Sequence, residues 1–162
     1  MTVHRRENHG QRLEHILDAI ETLSSAFPSH QFILPIHPNP NVKLKVCQRL
    51  SKQSNIILTE SLDYPQLVLL LSKAKLILTD SGGIQEEAPT FNVPILVLRY
   101  KTERMEGVEK GFAKLVGADT DKIIQESSLI LQNAIKTSGA NPYGDGKASQ
   151  RIEKIIRKVF NG

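Results

Sequence analysis

The stretch at residues 76–88 reads Leu76-Ile77-Leu78-Thr79-Asp80-Ser81-Gly82-Gly83-Ile84-Gln85-Glu86-Glu87-Ala88, and it decides the fold of this chain. Its first three residues are a short apolar run of the kind that a buried parallel strand shows. A polar turn with two glycines follows, and Ile84 begins a helical pattern of good helix formers. The stretch therefore predicts a strand, a tight turn and a helix in direct succession.

The Gly-Gly turn has two interpretations that the sequence leaves open. Because Gly82 and Gly83 have no Cβ atom, an anion can approach the backbone N–H groups closely. The first turn of a helix also leaves N–H groups without partners, and its dipole favours negative charge. Ser81 would then donate its hydroxyl to a phosphate oxygen. In the alternative, Ser81 caps the helix and the turn binds no ligand.

The composition describes one ordinary globular domain over residues 1–162, with 40% hydrophobic and 23% charged residues. The net charge is +4 and the basic residues are scattered, so no nucleic-acid-binding arm is indicated, whereas anionic small ligands are compatible. The single Cys47 excludes an internal disulfide and a cysteine-based zinc site. We expect neither a signal peptide nor a membrane helix, and hence a cytoplasmic protein without membrane contact.

The rest of the chain alternates between strand and helix patterns. Residues 1–3 look like the end of a strand, and further strands are predicted at 31–36, 55–59, 76–79, 94–98 and 113–116. Helices are predicted between them, and a last one at 148–160 has Ile152, Ile155, Ile156 and Val159 facing inward. This alternation predicts an α/β fold in which a parallel sheet carries helices on both faces, in three layers.

In such sheets the ligand lies outside the carboxyl ends of the strands. The turns at that edge collect the polar residues His4, Arg5, Arg6, Glu7, His37, Asp80, Ser81, Glu87, Glu103, Arg104 and Glu106. Guanidinium groups there suit a diphosphate or a carboxylate, but they also suit surface ion pairs. For Arg5 and Arg99 we favour the ion pairs.

Two further side chains at this edge have open roles. His4 has two interpretations. In one it donates a hydrogen bond to a ligand or acts as a general acid, and in the other it is a structural histidine. Glu87 either accepts hydrogen bonds from ribose hydroxyls or complements the dipole at the helix N-terminus. No nucleophile triad and no metal-ligand spacing stands out, so no metal site is predicted.

Several motifs occur together along the chain: His4-Arg5-Arg6-Glu7-Asn8, His37-Pro38-Asn39-Pro40, the stretch at 79–89, Thr102-Glu103-Arg104 and Asn141-Pro142-Tyr143-Gly144-Asp145-Gly146. In this order and spacing they strongly resemble the non-hydrolysing bacterial UDP-N-acetylglucosamine 2-epimerases, which are two-domain proteins of the GT-B type. The resemblance covers the whole chain, which corresponds to the Rossmann-like C-terminal domain of that family, without the N-terminal domain.

The resemblance implies interconversion of UDP-N-acetylglucosamine and UDP-N-acetylmannosamine by elimination and re-addition of UDP, without metal or nicotinamide. It implies UDP contacts from Ser81, Gly82, Gly83, Glu87, Arg104 and His4. Of these, Glu87 would bind the ribose and His4 would be catalytic beside the leaving group. In some relatives Arg5 and His37 also touch a second, activating UDP-sugar.

The chain departs from the family pattern at a few positions. Leu62 and Leu67 stand where Gln and Phe contact uracil in relatives, which weakens the case for uridine selectivity. Tyr100 and Met105 replace the usual Asp and Pro. The acidic residues credited with proton transfer at C2 lie in the family's N-terminal domain.

Three hypotheses follow. The first is the UDP-binding half of an epimerase, active only with an N-terminal half, whose full-length relatives form homo-oligomers and serve cell-envelope polysaccharides. The second is a non-catalytic module that binds UDP or a UDP-N-acetylhexosamine. The third, half of a glycosyltransferase, is disfavoured by the motifs at 4–8 and 141–146.

Overall fold

The computed structural model of the chain describes residues 1–36 and 39–160, and in these ranges strands and helices alternate. The strands are β1 (Phe32–Pro35), β2 (Ile56–Thr59), β3 (Ile77–Thr79), β4 (Ile95–Val97) and β5 (Ala113–Leu115). The α-helices are α1 (Gln11–Ala26), α2 (Pro40–Leu50), α3 (Tyr64–Lys73), α4 (Gly82–Glu87), α5 (Met105–Glu109), α6 (Thr120–Gln132) and α7 (Ala148–Phe160).

Residues 1–3 join two groups of parallel strands into one layer. Strand β1 pairs with β2, and β3 pairs with β4, which pairs with β5. Between the groups, the Thr2 N–H donates to Leu78 O at 2.9 Å, and the Met1 amino group donates to Ile33 O at 2.6 Å. The spatial order is therefore β2, β1, residues 1–3, β3, β4, β5.

Counted along the chain, this is the order 3-2-1-4-5-6 of a Rossmann-like sheet. The order reverses between residues 1–3 and β3, and ligands of such sheets bind at this switch point. The predicted parallel α/β sheet is confirmed, and so is the strand end at residues 1–3.

Alternate side chains of the central strands enter two separate cores. Leu78 and Leu96 join residues of α1, α2 and α6 in one core. Ile77 and Ile95 join residues of α3 and α4 in the other. Because successive strand residues point to opposite faces, helices cover both faces of the sheet, as the sequence predicts.

The helix ends follow the local sequence. Helix α1 has its apolar side chains at helical spacing, and Leu13, Ile16 and Ile20 are at most 2% exposed. Helix α3 begins with a capping box, in which Asp63 accepts from the Gln66 N–H and the Gln66 side chain accepts from the Asp63 N–H.

Among the described residues, no helix has both the length and the apolar character to cross a bilayer.

The predicted burial of α7 is wrong. Ile152, Ile155, Ile156 and Val159 are between 50% and 68% exposed, and the described part of the chain buries no residue of this helix. The periodicity correctly identified an amphipathic helix, but a periodic pattern shows only that one face is apolar. It does not show which surface covers that face.

Candidate functional site

Asp80 connects the two turns that meet at the switch point. It follows β3 directly, it is fully buried, and its carboxylate faces the turn after residues 1–3. Its oxygens accept hydrogen bonds from the backbone N–H groups of His4 (3.0 and 3.1 Å) and Arg5 (2.9 Å), and from the Asn8 side-chain amide (2.9 Å). The Nδ1 atom of His4 lies 3.0 Å from the Oδ1 atom of Asp80. These contacts fix the turn at residues 4–8 against the Gly-Gly turn.

The donors also keep Asp80 ionised. Burial by itself would raise the pKa of Asp80, but hydrogen bonds from His4, Arg5 and Asn8 outweigh it and hold the pKa below its ordinary value. Asn8, which is itself buried, donates in addition to Leu98 O at 3.0 Å. Asp80 and Asn8 together thus link the turn at residues 4–8 to the ends of β3 and β4.

Gly82 provides the surface on which Arg104 lies. A Cβ atom at position 82 would come within 3.0 Å of the Arg104 Cζ atom and 3.2 Å of its Nη2 atom. The guanidinium therefore packs directly against the first turn of α4, and a side chain at position 82 would force it to move. The sequence predicts that Arg104 and the Gly-Gly turn share one edge of the sheet, and in the fold the two are in direct contact. Ser81 occupies the N-cap position, but its side chain makes no capping hydrogen bond.

A buried glutamine holds the Arg104 loop on α4. Gln85, which is 1% exposed, donates to Ser81 O at 3.1 Å and accepts from the Thr102 hydroxyl at 2.8 Å. The Nε atom of Arg104 donates to Glu86 at 2.8 Å. The arginine is therefore fixed through its neighbour Thr102 as well as through its own side chain.

The loop after α6 holds the same arginine from the other side. The Tyr143 hydroxyl donates to Arg104 O at 2.8 Å and accepts from the Gly107 N–H at 2.9 Å. The Asn141 amide donates to Glu86 O at 2.8 Å and to the Thr90 hydroxyl at 2.8 Å. The motif at 141–146 thus supports the backbone of Arg104 and of the neighbouring helix α4.

Glu87 is the last residue of α4, so it cannot complement the dipole at the N-terminus of that helix. That alternative is wrong because the helix begins at Gly82, earlier than the predicted start at Ile84. Burial, and then the neighbouring charge of Glu86, raises the pKa of Glu87. A carboxylate with a raised pKa gains from hydroxyl donors, which is compatible with a ribose contact.

The two arginines for which ion pairs are predicted, Arg99 and Arg5, have different outcomes. Arg99 pairs with Glu7 at 2.6 Å and Glu103 at 3.1 Å, which confirms its interpretation as an ion-pair residue. Arg5 is exposed, and no carboxylate of the described ranges lies within ion-pair distance of it, so the ion pair favoured for it is wrong.

His37 lies outside the described residues. Leu67 belongs to α3 and packs against the core that contains Ile77 and Ile95, and Leu62 is half-buried in the loop before that helix.

The structure gives supporting roles to three residues for which the sequence patterns predict none: Asp80, Gln85 and Tyr143. One available signal was the position of Asp80 directly after a buried strand, where a carboxylate needs several donors. Nothing local in the sequence indicates that Gln85 or Tyr143 reaches the Arg104 loop.

Comparison with known proteins agrees with this architecture. The profile of the family described as UDP-N-acetylglucosamine 2-epimerase matches residues 1–157. A Ralstonia nicotianae protein named probable UDP-N-acetylglucosamine 2-epimerase is 43% identical over 164 residues, which cover 99% of this chain and 44% of that protein. This chain therefore spans less than half the length of that relative.

Solved structures show the same fold. The S. aureus MnaA–UDP structure has a TM-score of 0.93 at 41% identity, over 99% of this chain and 45% of that one. The Neisseria meningitidis UDP-GlcNAc 2-epimerase bound to UDP-GlcNAc has a TM-score of 0.90 at 43% identity, over 97% and 43%. These matches confirm the expected likeness to the C-terminal half of GT-B epimerases. The chain belongs to the UDP-N-acetylglucosamine 2-epimerase family.

Proposed function

We propose that this chain is the UDP-binding half of a UDP-N-acetylglucosamine 2-epimerase. One observation carries the proposal: the Arg104 guanidinium lies against Gly82, where β3 turns into α4, at the same sheet edge as His4. Relatives of this fold are solved with UDP and with UDP-GlcNAc, which supports a nucleotide-sugar ligand for this edge.

In this proposal the diphosphate lies over the turn at Ser81, Gly82 and Gly83, where backbone N–H groups and the α4 dipole favour an anion. Arg104 adds a charged fork for a phosphate oxygen pair. Glu87 accepts hydrogen bonds from the ribose. Arg5, which is exposed, and His37 are proposed contacts of a second, activating UDP-sugar.

The reaction has two steps, an elimination of UDP and its re-addition with the opposite configuration at C2. A proton leaves C2 of the sugar while the C1–O bond breaks, its electron pair stays on UDP, and a 2-acetamidoglucal remains. UDP then adds back at C1, and C2 receives a proton on the opposite face. Charge grows on UDP as the bond breaks, so donors from Arg104 and the Gly-Gly turn stabilise the transition state. His4 is the proposed catalytic residue beside the leaving group.

The wider setting is part of the same proposal, and membership of the family supports it. Residues 1–162 form one UDP-binding domain that works with an N-terminal half, and the complete enzyme is a homo-oligomer. The proposed place is the cytoplasm, and the product enters cell-envelope polysaccharide. Leu62 and Leu67 would meet the base where relatives have Gln and Phe, so we propose looser selection of uracil than in those relatives.

Calorimetric titration with UDP tests the binding proposal. Arg104→Ala is expected to lose one charge-assisted contact, about 1.5–3 kcal/mol, or roughly 10- to 150-fold in affinity. Arg104→Lys keeps the positive charge but loses the two-pronged guanidinium. Its affinity for UDP is expected to lie between those of the unaltered chain and Arg104→Ala. Arg157→Ala, which removes an exposed arginine paired with Glu153 on α7, is the matched control. Unchanged affinity in Arg104→Ala would contradict the proposal.

The second candidate is a binding module that catalyses nothing by itself. It is favoured by the openness of the sheet edge, since the His4 side chain is 35% exposed and elimination requires that water be excluded. We expect no deuterium at C2 when the chain and UDP-N-acetylglucosamine are incubated in deuterated water. Addition of an N-terminal half is expected to start the exchange if the chain is the epimerase half, and to leave C2 unlabelled if the chain is a binding module. Exchange by the chain alone would show that it carries its own C2 base.

A further inference from the structure

The Arg104 guanidinium is shared between two carboxylates, and each of them holds a different nitrogen. Its Nε atom donates to Glu86 at 2.8 Å, and its Nη1 atom donates to Glu103 at 3.3 Å. The third nitrogen, Nη2, lies at the Gly-Gly turn, 3.2 Å from the position of a Cβ atom on Gly82. Within residues 1–36 and 39–160, Nη2 donates no hydrogen bond.

Glu103, in turn, is shared between two arginines. Arg99 contacts both of its carboxylate oxygens, at 3.1 and 3.4 Å, whereas Arg104 contacts only one of them. The hydrogen bond from Arg99 is the largest of the causes that lower the pKa of Glu103 to about 2. The Arg99 side chain is 10% exposed and also pairs with Glu7 at 2.6 Å, so it is the fixed member of this group. The Glu103 side chain is 66% exposed, so it can turn from one arginine to the other with little loss of packing.

A phosphate at the turn competes with Glu103 rather than with Glu86. A guanidinium binds a pair of oxygens through two of its nitrogens, and Nη1 and Nη2 are the pair that remains while Nε stays on Glu86. Nη1 becomes available only when Glu103 leaves it. A carboxylate released without a second partner would stay beside the phosphate and repel it. Arg99 is that second partner.

We propose that Arg99 is a positioning residue for Arg104, because it retains Glu103 while Arg104 exchanges this carboxylate for a phosphate. Arg99 acts through Glu103 and needs no contact with the ligand. The phosphate in this exchange rests on the proposed function. The competition of the two arginines for Glu103 does not, because it depends only on contacts within the chain.

A double-mutant cycle, measured by calorimetric titration with UDP, tests the exchange. Arg99→Met leaves Glu103 to Arg104 alone, so UDP affinity is expected to fall about fivefold, a coupling of ordinary size for residues in contact. In the Glu103→Gln background no carboxylate competes, and Arg99→Met should change the affinity less than about twofold. Glu103→Gln alone is expected to bind UDP at least as tightly as the unaltered chain.

The matched control is the pair of Glu153 and Arg157 on α7, which are also four positions apart and lie 2.9 Å from each other. The cycle of Arg157→Met and Glu153→Gln is expected to leave UDP affinity unchanged. Loss of the Arg99 charge by itself would lower the affinity equally with and without Glu103, and such an equal loss overturns the proposal. Weaker binding by Glu103→Gln also overturns it, and this measurement is sufficient even if Arg99→Met does not fold.

Arginine side-chain ¹⁵N spectra of the labelled chain without ligand test the competition for Glu103 separately. A carboxylate bound at Nη1 slows the rotation of the guanidinium, and the Arg104→Lys variant assigns the signal. We expect slower rotation of the Arg104 guanidinium in Arg99→Met than in the unaltered chain, and faster rotation in Glu103→Gln. Equal rotation in the unaltered chain and Arg99→Met overturns the inference. If the spectra are as expected but the unaltered chain does not bind UDP, the proposed function fails and the competition for Glu103 stands.

Discussion

The hydroxyl of Tyr143 donates a hydrogen bond of 2.8 Å to the backbone carbonyl of Arg104, 39 positions earlier in the sequence. The same hydroxyl accepts from the Gly107 N–H at 2.9 Å, so one phenol joins the start of α5 to the residue before it. The loop after α6 thereby holds the arginine that the proposed function assigns to the phosphates. A side chain from outside the Arg104 loop thus supports this arginine through its backbone.

Tyr143→Phe removes this hydroxyl and leaves the ring in place. We expect the free energy of unfolding to fall by about 1–2 kcal/mol, because the Arg104 carbonyl and the N–H of the buried Gly107 lose their partner. UDP affinity is expected to fall as well, since Arg104 is held less firmly. Urea unfolding and calorimetry measure both. Tyr64→Phe, at a tyrosine that is 62% exposed, is the control, and equal effects of the two variants would contradict the prediction.

Gly82→Ala is expected to separate binding from stability. The new Cβ atom would lie 3.0 Å from the Arg104 Cζ atom, so the flexible guanidinium must move while the backbone stays in place. Alanine favours a helix over glycine by up to about 1 kcal/mol, so stability should be unchanged or higher, whereas UDP binding weakens.

The comparison variant is Gly83→Ala, whose Cβ atom would have only the Ser81 hydroxyl at 4.0 Å as a neighbour. It should stabilise α4 equally while leaving the arginine undisturbed. Crystal structures of both variants would show the Arg104 side chain directly. An unmoved guanidinium in Gly82→Ala would refute the proposed cause.

Glu87→Gln is expected to stabilise the chain at neutral pH and to weaken UDP binding. Burial and then Glu86 raise the pKa of Glu87 above its ordinary value of about 4.5. A carboxylate with a raised pKa favours the folded state in its protonated form, so its stabilising contribution is lost as the pH rises through the folded-state pKa. Because glutamine stays neutral, the Glu87→Gln variant does not lose this free energy of unfolding as the pH rises.

The advantage of Glu87→Gln in unfolding free energy should therefore be present at pH 7 and disappear below about pH 4.5. Denaturant unfolding across this range measures it. Glu109→Gln, at an exposed position of α5, is the control. An advantage that grows as the pH falls would have the wrong sign for this explanation.

Substitutions in α7 should leave the stability of the described fold nearly unchanged. Ile155 is 62% exposed, so Ile155→Ala is expected to change the free energy of unfolding by less than about 0.5 kcal/mol. Ile123 of α6 is 0% exposed, and Ile123→Ala should cost about 2–5 kcal/mol. A large effect of Ile155→Ala would mean that this face is covered in solution.

Much of the fold and part of the site could be predicted because local patterns specify them. The apolar run before Asp80 predicted β3, and the paired glycines predicted the turn into α4. The ion pairs of Arg99 with Glu7 and Glu103 were also predictable, because all three residues lie in turns that follow strand ends at one edge of the sheet. The prediction for α7 was wrong because its apolar face has no partner in the described fold.

The sequence by itself determined the succession of strands and helices, the parallel sheet and the collection of polar residues at its carboxyl edge. Those features depend on periodicity and turn chemistry within a few residues. Only the tertiary structure decided that Asp80 meets donors 72 to 76 positions away, that Arg104 lies on Gly82, and that Tyr143 holds Arg104. These contacts depend on distances of a few ångströms between residues far apart in the chain, which the packing of helices on the sheet sets and no local pattern encodes.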